Sequence, residues 1–117
     1  MKFLRLTRHP ASEIQQAEIG KIWGATTEVH QISKTLPESP KGAVKRFDEL
    51  ADGFDVAEVV LSINLLQAIL NFSEFSKQGK QIVRSVMIRE ELDDGSIVFN
   101  FSHYEEIKEI NVVTERL

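Results

Sequence analysis

Val56-Ala57-Glu58-Val59-Val60-Leu61-Ser62-Ile63 is the most continuous apolar run in the chain. Runs of this kind belong to strands covered on both faces, as in the middle of a parallel sheet with helices on each side. The flanks agree with that reading. Upstream, Ser39-Pro40 supplies an N-cap and a preorganised first helical position, Val44, Phe47 and Ala51 give a helical stripe, and Gly53 ends it. Downstream, Asn64 and Gln67 have capping-box spacing and open a helix through Leu65, Leu66, Ala68, Ile69, Leu70, Phe72 and Phe75 to a break at Gly79. Its apolar residues cover more than one stripe, which points to deep burial or to a homodimer formed through residues 64–78.

The same strand-and-helix unit occurs twice before this run. Residues 2–7 alternate as a short strand, and Pro10 stops it. Ser12-Glu13-Ile14-Gln15 is a capping box, Ile14, Ala17 and Ile22 fall on one helical face with Ile19 and Trp23 beside it, and Gly24 is a left-handed terminator. Residues 26–33 are rich in β-branched side chains and predict a second strand. Residues 81–89 predict a fourth. Asp94-Gly95 is the strongest hairpin signal, and a two-residue turn there sets Ile88, Glu90 and Leu92 opposite Phe101, Phe99 and Ile97. Residues 104–117 are expected to make a helical turn and then an extended tail. Three strand–helix units and a hairpin predict one α/β domain over residues 1–117, a sandwich whose mainly parallel sheet ends in a C-terminal β-hairpin.

Composition narrows the chemistry. The chain has 117 residues, 42% hydrophobic and 27% charged, enough to bury a core without disulfides or structural metal. It contains no cysteine, which removes thiol catalysis, iron–sulfur clusters and cysteine-ligated zinc. A formal charge of −4, from 14 basic and 18 acidic residues, argues against binding to long nucleic acid. The first 48 residues are nevertheless the more basic part, so a small anionic ligand is compatible with them. No stretch approaches a membrane span, and the charges at Lys2 and Arg5 come too early for a signal peptide's apolar segment, so a cytoplasmic protein is expected.

In open α/β sheets ligands bind beyond the carboxyl ends of the strands, where helix N-termini present amide donors. That rule selects the loop Thr7-Arg8-His9-Pro10-Ala11-Ser12, the segment 33–39, and Ser62-Ile63-Asn64. Arg8 is a planar, bidentate phosphate binder, and His9 beside it is a residue type that carries protons near neutrality. Lys41, Lys45 and Arg46 stand on the second helix, where solvated decoration is the simpler role and phosphate contact the sharper one. His30 and His103 have no acidic or imidazole cluster at ligand spacing, so no metal site is expected. Neither G-x-G-x-x-G nor G-x-x-x-x-G-K occurs, which excludes dinucleotide and P-loop sites.

Thr7-Arg8-His9-Pro10 at the end of a first strand resembles the small stand-alone ring nucleases associated with type III CRISPR systems, in which a Thr/Ser-Arg-His-Pro-Gly stretch occupies that place. The shared stretch runs from Phe3 to Pro10, and Ala11 stands where that family has Gly. The resemblance implies a Rossmann-like three-layer fold and a cytoplasmic homodimer in antiviral defence that degrades cyclic oligoadenylate messengers without metal or cofactor. It implies that the ribose 2′-hydroxyl attacks its own 3′-phosphate. Arg8 would stabilise phosphate charge, and His9 would transfer a proton or bind the phosphate. Thr7, Pro10, Ser12, Ser62, Asn64 and Lys41 would bind the ligand. A second resemblance is to the histidine phosphatases, whose Arg-His-Gly also ends a first strand, with His103 as the required second histidine and Pro10 in place of the Gly. A non-catalytic nucleotide-binding or protein-pairing module is the third reading.

Overall fold

A computed structural model describes residues 1–110, and the extended tail expected over residues 111–117 lies outside them. The elements are β1 (Lys2–Leu6), α1 (Glu13–Trp23), β2 (Glu28–Gln31), α2 (Pro40–Ala51), β3 (Val56–Val59), α3 (Ile63–Phe72), α4 (Glu74–Lys77), β4 (Gln81–Glu91) and β5 (Ile97–Glu106). They build an α/β fold on one mixed sheet with strand order β2-β1-β3-β4-β5. The first four strands pair in parallel, and β5 closes the sheet as an antiparallel hairpin with β4.

All four residues of β3 are buried, as a centrally placed strand requires. Alternation along it separates two apolar clusters. Ala57 and Val59 join Leu4, Leu6, Phe47, Ile69 and Ile82 on the face that α2 and α3 cover. Val56 joins Phe3, Val83 and Ile19 on the face that α1 covers. The strand is shorter than its apolar run: Val60 is 74% exposed, and the chain has already turned toward α3.

Helix starts follow local chemistry. The Ser12 hydroxyl accepts from the Gln15 amide while the Gln15 side chain accepts from the Ser12 amide, a complete capping box. Ser39 caps α2, with Pro40 in the first turn. The third start differs from the expected one. Ser62, not Asn64, occupies the N-cap of α3, its hydroxyl makes no capping bond, and Gln67 donates instead to the Ile110 carbonyl. The helix also stops at Ser73 instead of running on to Gly79. The buried Ser73 hydroxyl accepts from the Ser76 amide, and Asp48 of α2 accepts from the amides of Glu74 and Phe75, so a new short helix starts there. Most of the surplus apolar surface on α3 is buried or half-buried within this chain, leaving Ile63 and Phe72 exposed at its two ends.

Three further expectations change. The buried face of α1 is Gln15 and Ile19, while Ile14, Ala17 and Ile22 are exposed. Hydrogen bonds turn the helix: Gln15 donates to the Ser85 hydroxyl, and the Trp23 indole donates to Gln81 at 2.7 Å. The hairpin loop has three residues, not two, because Leu92 donates to the Ser96 carbonyl, Gly95 donates to that of Leu92, and Gly95 takes φ 84°. The register therefore slips by one, pairing Met87 with Phe101, Arg89 with Phe99 and Glu91 with Ile97. Lastly, Tyr104, Glu105 and Glu106 are strand, not helical turn, and the register shift between Val86 and Met87 aims Tyr104 at the core side.

Candidate functional site

The strand order reverses direction between β1 and β3, because the chain goes from β1 outward to β2 and then back across β1 to β3. Loops leaving the carboxyl ends of two such strands diverge, and a crevice opens between them. A cleft of about 720 Å³ occupies this place, lined by Thr7, Arg8 and His9 after β1, Ser33, Lys34, Thr35, Leu36 and Glu38 after β2, and Val60, Leu61, Ser62, Asn64 and Leu65 at the start of α3. Its floor is apolar, from Leu6, Leu36, Leu61 and Leu65. Its rim holds the cations of Arg8 and Lys34, the imidazole of His9, several hydroxyls, and Glu38 as the one acid among the lining residues.

Of the residues singled out from sequence, Thr7, Arg8, His9, Ser62 and Asn64 meet in this cleft. Pro10, Ser12 and Lys41 do not. The chain after His9 crosses to the opposite face of the sheet to start α1, so Pro10 and Ala11 line a separate cleft of about 510 Å³ against Gly20, Val29 and Gln31. Ser12 is engaged in its capping box. Lys41 lies against Val44, Ala68 and Phe72 in a groove between α2 and α3. Lys34, in the loop after β2, supplies the second cation and was not singled out as a site residue from sequence. The signal was available in the carboxyl-end rule, which names that loop.

Arg8 is exposed and makes no hydrogen bond or ion pair among the described residues, so its guanidinium is available to a ligand. Ser62 likewise keeps its hydroxyl free. His9 is held through its backbone: its amide donates to the Thr7 hydroxyl at 3.3 Å, and its carbonyl accepts from Arg5 at 2.8 Å. Its imidazole has no partner among the described residues.

Beneath the loop lies a polar cluster that sequence reading did not find. Arg5 and Glu58 are each 2% exposed and sit at paired positions of β1 and β3. Arg5 donates to both Glu58 oxygens, at 3.0 and 3.3 Å, and its remaining nitrogen reaches the His9 carbonyl. Glu58 also accepts from the Ser85 hydroxyl at 2.7 Å and the Tyr104 hydroxyl at 2.8 Å, and Ser85 accepts from Gln15. The capping box of α1, the central strand, the hairpin and the 7–9 loop are thereby joined through one carboxylate.

Burial, with the Glu58 charge added, pushes the Tyr104 phenol well above its ordinary value. The folded state thus favours the protonated phenol. Its contribution to stability is whole below about pH 10, where free tyrosine ionises, and is lost as pH rises further because the unfolded chain releases its proton first. Tyr104 is the single tyrosine, so phenolate absorbance reports it alone. Spectrophotometric titration of the folded protein is expected to give a midpoint above pH 10. The stability difference between wild type and Tyr104→Phe should shrink above pH 10, and a difference constant across that range would contradict the assignment.

His30 and His103 stand apart from the cleft. His30 lies on β2, 3.5 Å from Glu28 and edge-on to Phe54. His103 lies on β5, separated from β1 by β3 and β4, with Glu105 at 3.6 Å. The second histidine that a histidine phosphatase needs therefore does not reach His9. No family model, curated protein or solved structure matches the chain.

Proposed function

We propose that the chain binds a cyclic oligoadenylate in the cleft between β1 and β3 and opens the ring without metal or cofactor, as a cytoplasmic CRISPR-associated ring nuclease in antiviral defence. The observation that carries this reading is the convergence of Thr7, Arg8, His9, Lys34, Ser62 and Asn64 on one cleft at the point where the strand order reverses. A Rossmann-like three-layer arrangement belongs to the same reading. It is supported by α1 on one face of the sheet, and α2 with α3 on the other.

The chemistry asks for positioning and charge stabilisation. A ribose 2′-oxygen attacks the adjacent phosphorus, the bond from phosphorus to the 5′-oxygen breaks, and the products are a 2′,3′-cyclic phosphate and a 5′-hydroxyl. One proton leaves the 2′-oxygen and one arrives at the 5′-oxygen. Arg8 stabilises the charge that gathers on the phosphate oxygens, and Lys34 binds a neighbouring phosphate. His9 handles the proton. Ser62 and the free amides at the start of α3 hold the ring so that the attacking and leaving oxygens stand in line.

A second reading, binding without turnover, is favoured by one feature. A general base is normally oriented by a third group, and the His9 imidazole has none among the described residues. One experiment separates the two. Incubation of the pure protein with cyclic tetra- and hexa-adenylate in EDTA, followed by mass spectrometry, should yield linear products ending in 2′,3′-cyclic phosphate. Tight binding with intact rings establishes the binding module, and intact rings without binding overturn both readings.

A further inference from the structure

The hairpin of β4 and β5 extends far beyond the sheet that supports it. β3 pairs with β4 only over Gln81, Ile82 and Val83, whereas β4 and β5 pair with each other from Val83 to Glu91. The outer part is a two-stranded arm, and such a ribbon is marginally stable in water unless one of its faces is covered. Its apolar residues are uncovered: Met87, Ile97 and Phe99 are exposed, Phe99 to 64%.

The two faces of the arm differ in their polar groups. On the face of Ile88, the polar residues satisfy one another, with Asn100 donating to Glu90 at 3.0 Å. On the face of Met87, register places Arg89 beside Phe99 and Glu91 beside Ile97, and neither charge has a partner among the described residues. An unpaired cation and an unpaired anion two residues apart on one strand, flanked by apolar side chains, form a self-complementary patch. A two-fold axis crossing the arm at the Glu90–Val98 row reverses the strand direction. Arg89 of one copy then lies over Glu91 of the other, and Phe99 over Ile97. Packing of this kind is isologous, as closed two-fold symmetry requires.

From this register we infer that a second copy of the chain covers the Met87–Arg89–Glu91 face of the arm, so that two hairpins pack face to face into a dimer. This surface differs from residues 64–78, where Phe72 is the one large apolar side chain left exposed for such a role. The inference stands independently of what the cleft binds.

Sedimentation equilibrium across micromolar concentrations tests it. Wild type should be dimeric. Arg89→Glu and Glu91→Arg should each weaken the dimer by roughly tenfold or more, since like charges then face each other. The double variant with both changes should restore it. Both positions of the test cycle, Arg89 and Glu91, are solvent-exposed charges, and circular dichroism verifies that each variant is folded. A monomeric wild type, or a dimer indifferent to the swap, overturns the inference. So does a dimer broken only by Phe72→Glu, which assigns the contact to α3.

Discussion

Glu58→Ala should lower the free energy of unfolding by about 3–5 kcal/mol, the usual cost of removing one partner from a buried ion pair. The loss comes less from a missing attraction than from what is left behind. Arg5 would remain at 2% exposure with an uncompensated charge, and the hydroxyls of Ser85 and Tyr104 would lose their acceptor. Glu58→Gln keeps the volume and one acceptor oxygen but removes the charge, so it should recover only part of the loss. Urea unfolding followed by Trp23 fluorescence measures both variants, and a loss below about 1 kcal/mol in Glu58→Ala would mean that the pair is not closed off from water. A consequence reaches the cleft. Arg5 holds the His9 carbonyl, so loosening the pair should raise amide hydrogen exchange in residues 7–9 before the protein unfolds globally.

Arg8→Ala should do the opposite, leaving stability within about 0.5 kcal/mol of wild type, as for surface changes, while removing function. The side chain supports nothing in the fold among the described residues. Losing a preorganised donor to transition-state charge costs about 10²–10³ in rate, and losing a charged hydrogen bond costs about 1.5–3 kcal/mol in binding. Arg8→Lys keeps the charge without the planar fork and should fall between the two. Ring-opening rates in EDTA and calorimetric binding of cyclic tetra-adenylate measure the effect. Full activity in Arg8→Ala would remove this residue from the site.

Much of this was legible in the sequence, and the parts that were not share a cause. Capping at Ser12 and Ser39 depends on residues three apart, and burial of Val56 to Val59 depends on one run, so local pattern suffices. The Arg5–Glu58 pair depends on a register between strands 53 residues apart. Its one sequence signal was a carboxylate in the middle of the most apolar run, matched by a guanidinium in the first strand. The face of α1 was misplaced for a related reason. Hydrophobic periodicity weighs Ile14 and Ile22 over Gln15, whereas the polar cluster draws Gln15 inward. At the hairpin, Asp94-Gly95 marked the turn correctly, yet loop length set the register. Ser96 donates its amide and hydroxyl to Asp94, holding that carboxyl below its usual range, and the extra residue moves every cross-strand pair by one.

For the cleft, the carboxyl-end rule named all three loops, but the side of the sheet each residue reaches was not readable. The loop after β1 divides between two faces at Pro10, which takes Thr7, Arg8 and His9 into one cleft and leaves Pro10 and Ala11 in another. Ala11, which stands where the ring nucleases it resembles have glycine, therefore lies outside the proposed phosphate site.

The claim that this cleft is the ligand site is tested most directly by amide NMR titration of the pure protein with cyclic tetra-adenylate, repeated with the hexa-adenylate. The account predicts that one of them shifts the amides of Thr7, Arg8, His9, Lys34 and residues 62–65 together, along one saturating curve. Shifts confined to the cleft at Gly20 and Val29, or to the hairpin arm, or none with either ring, would contradict it.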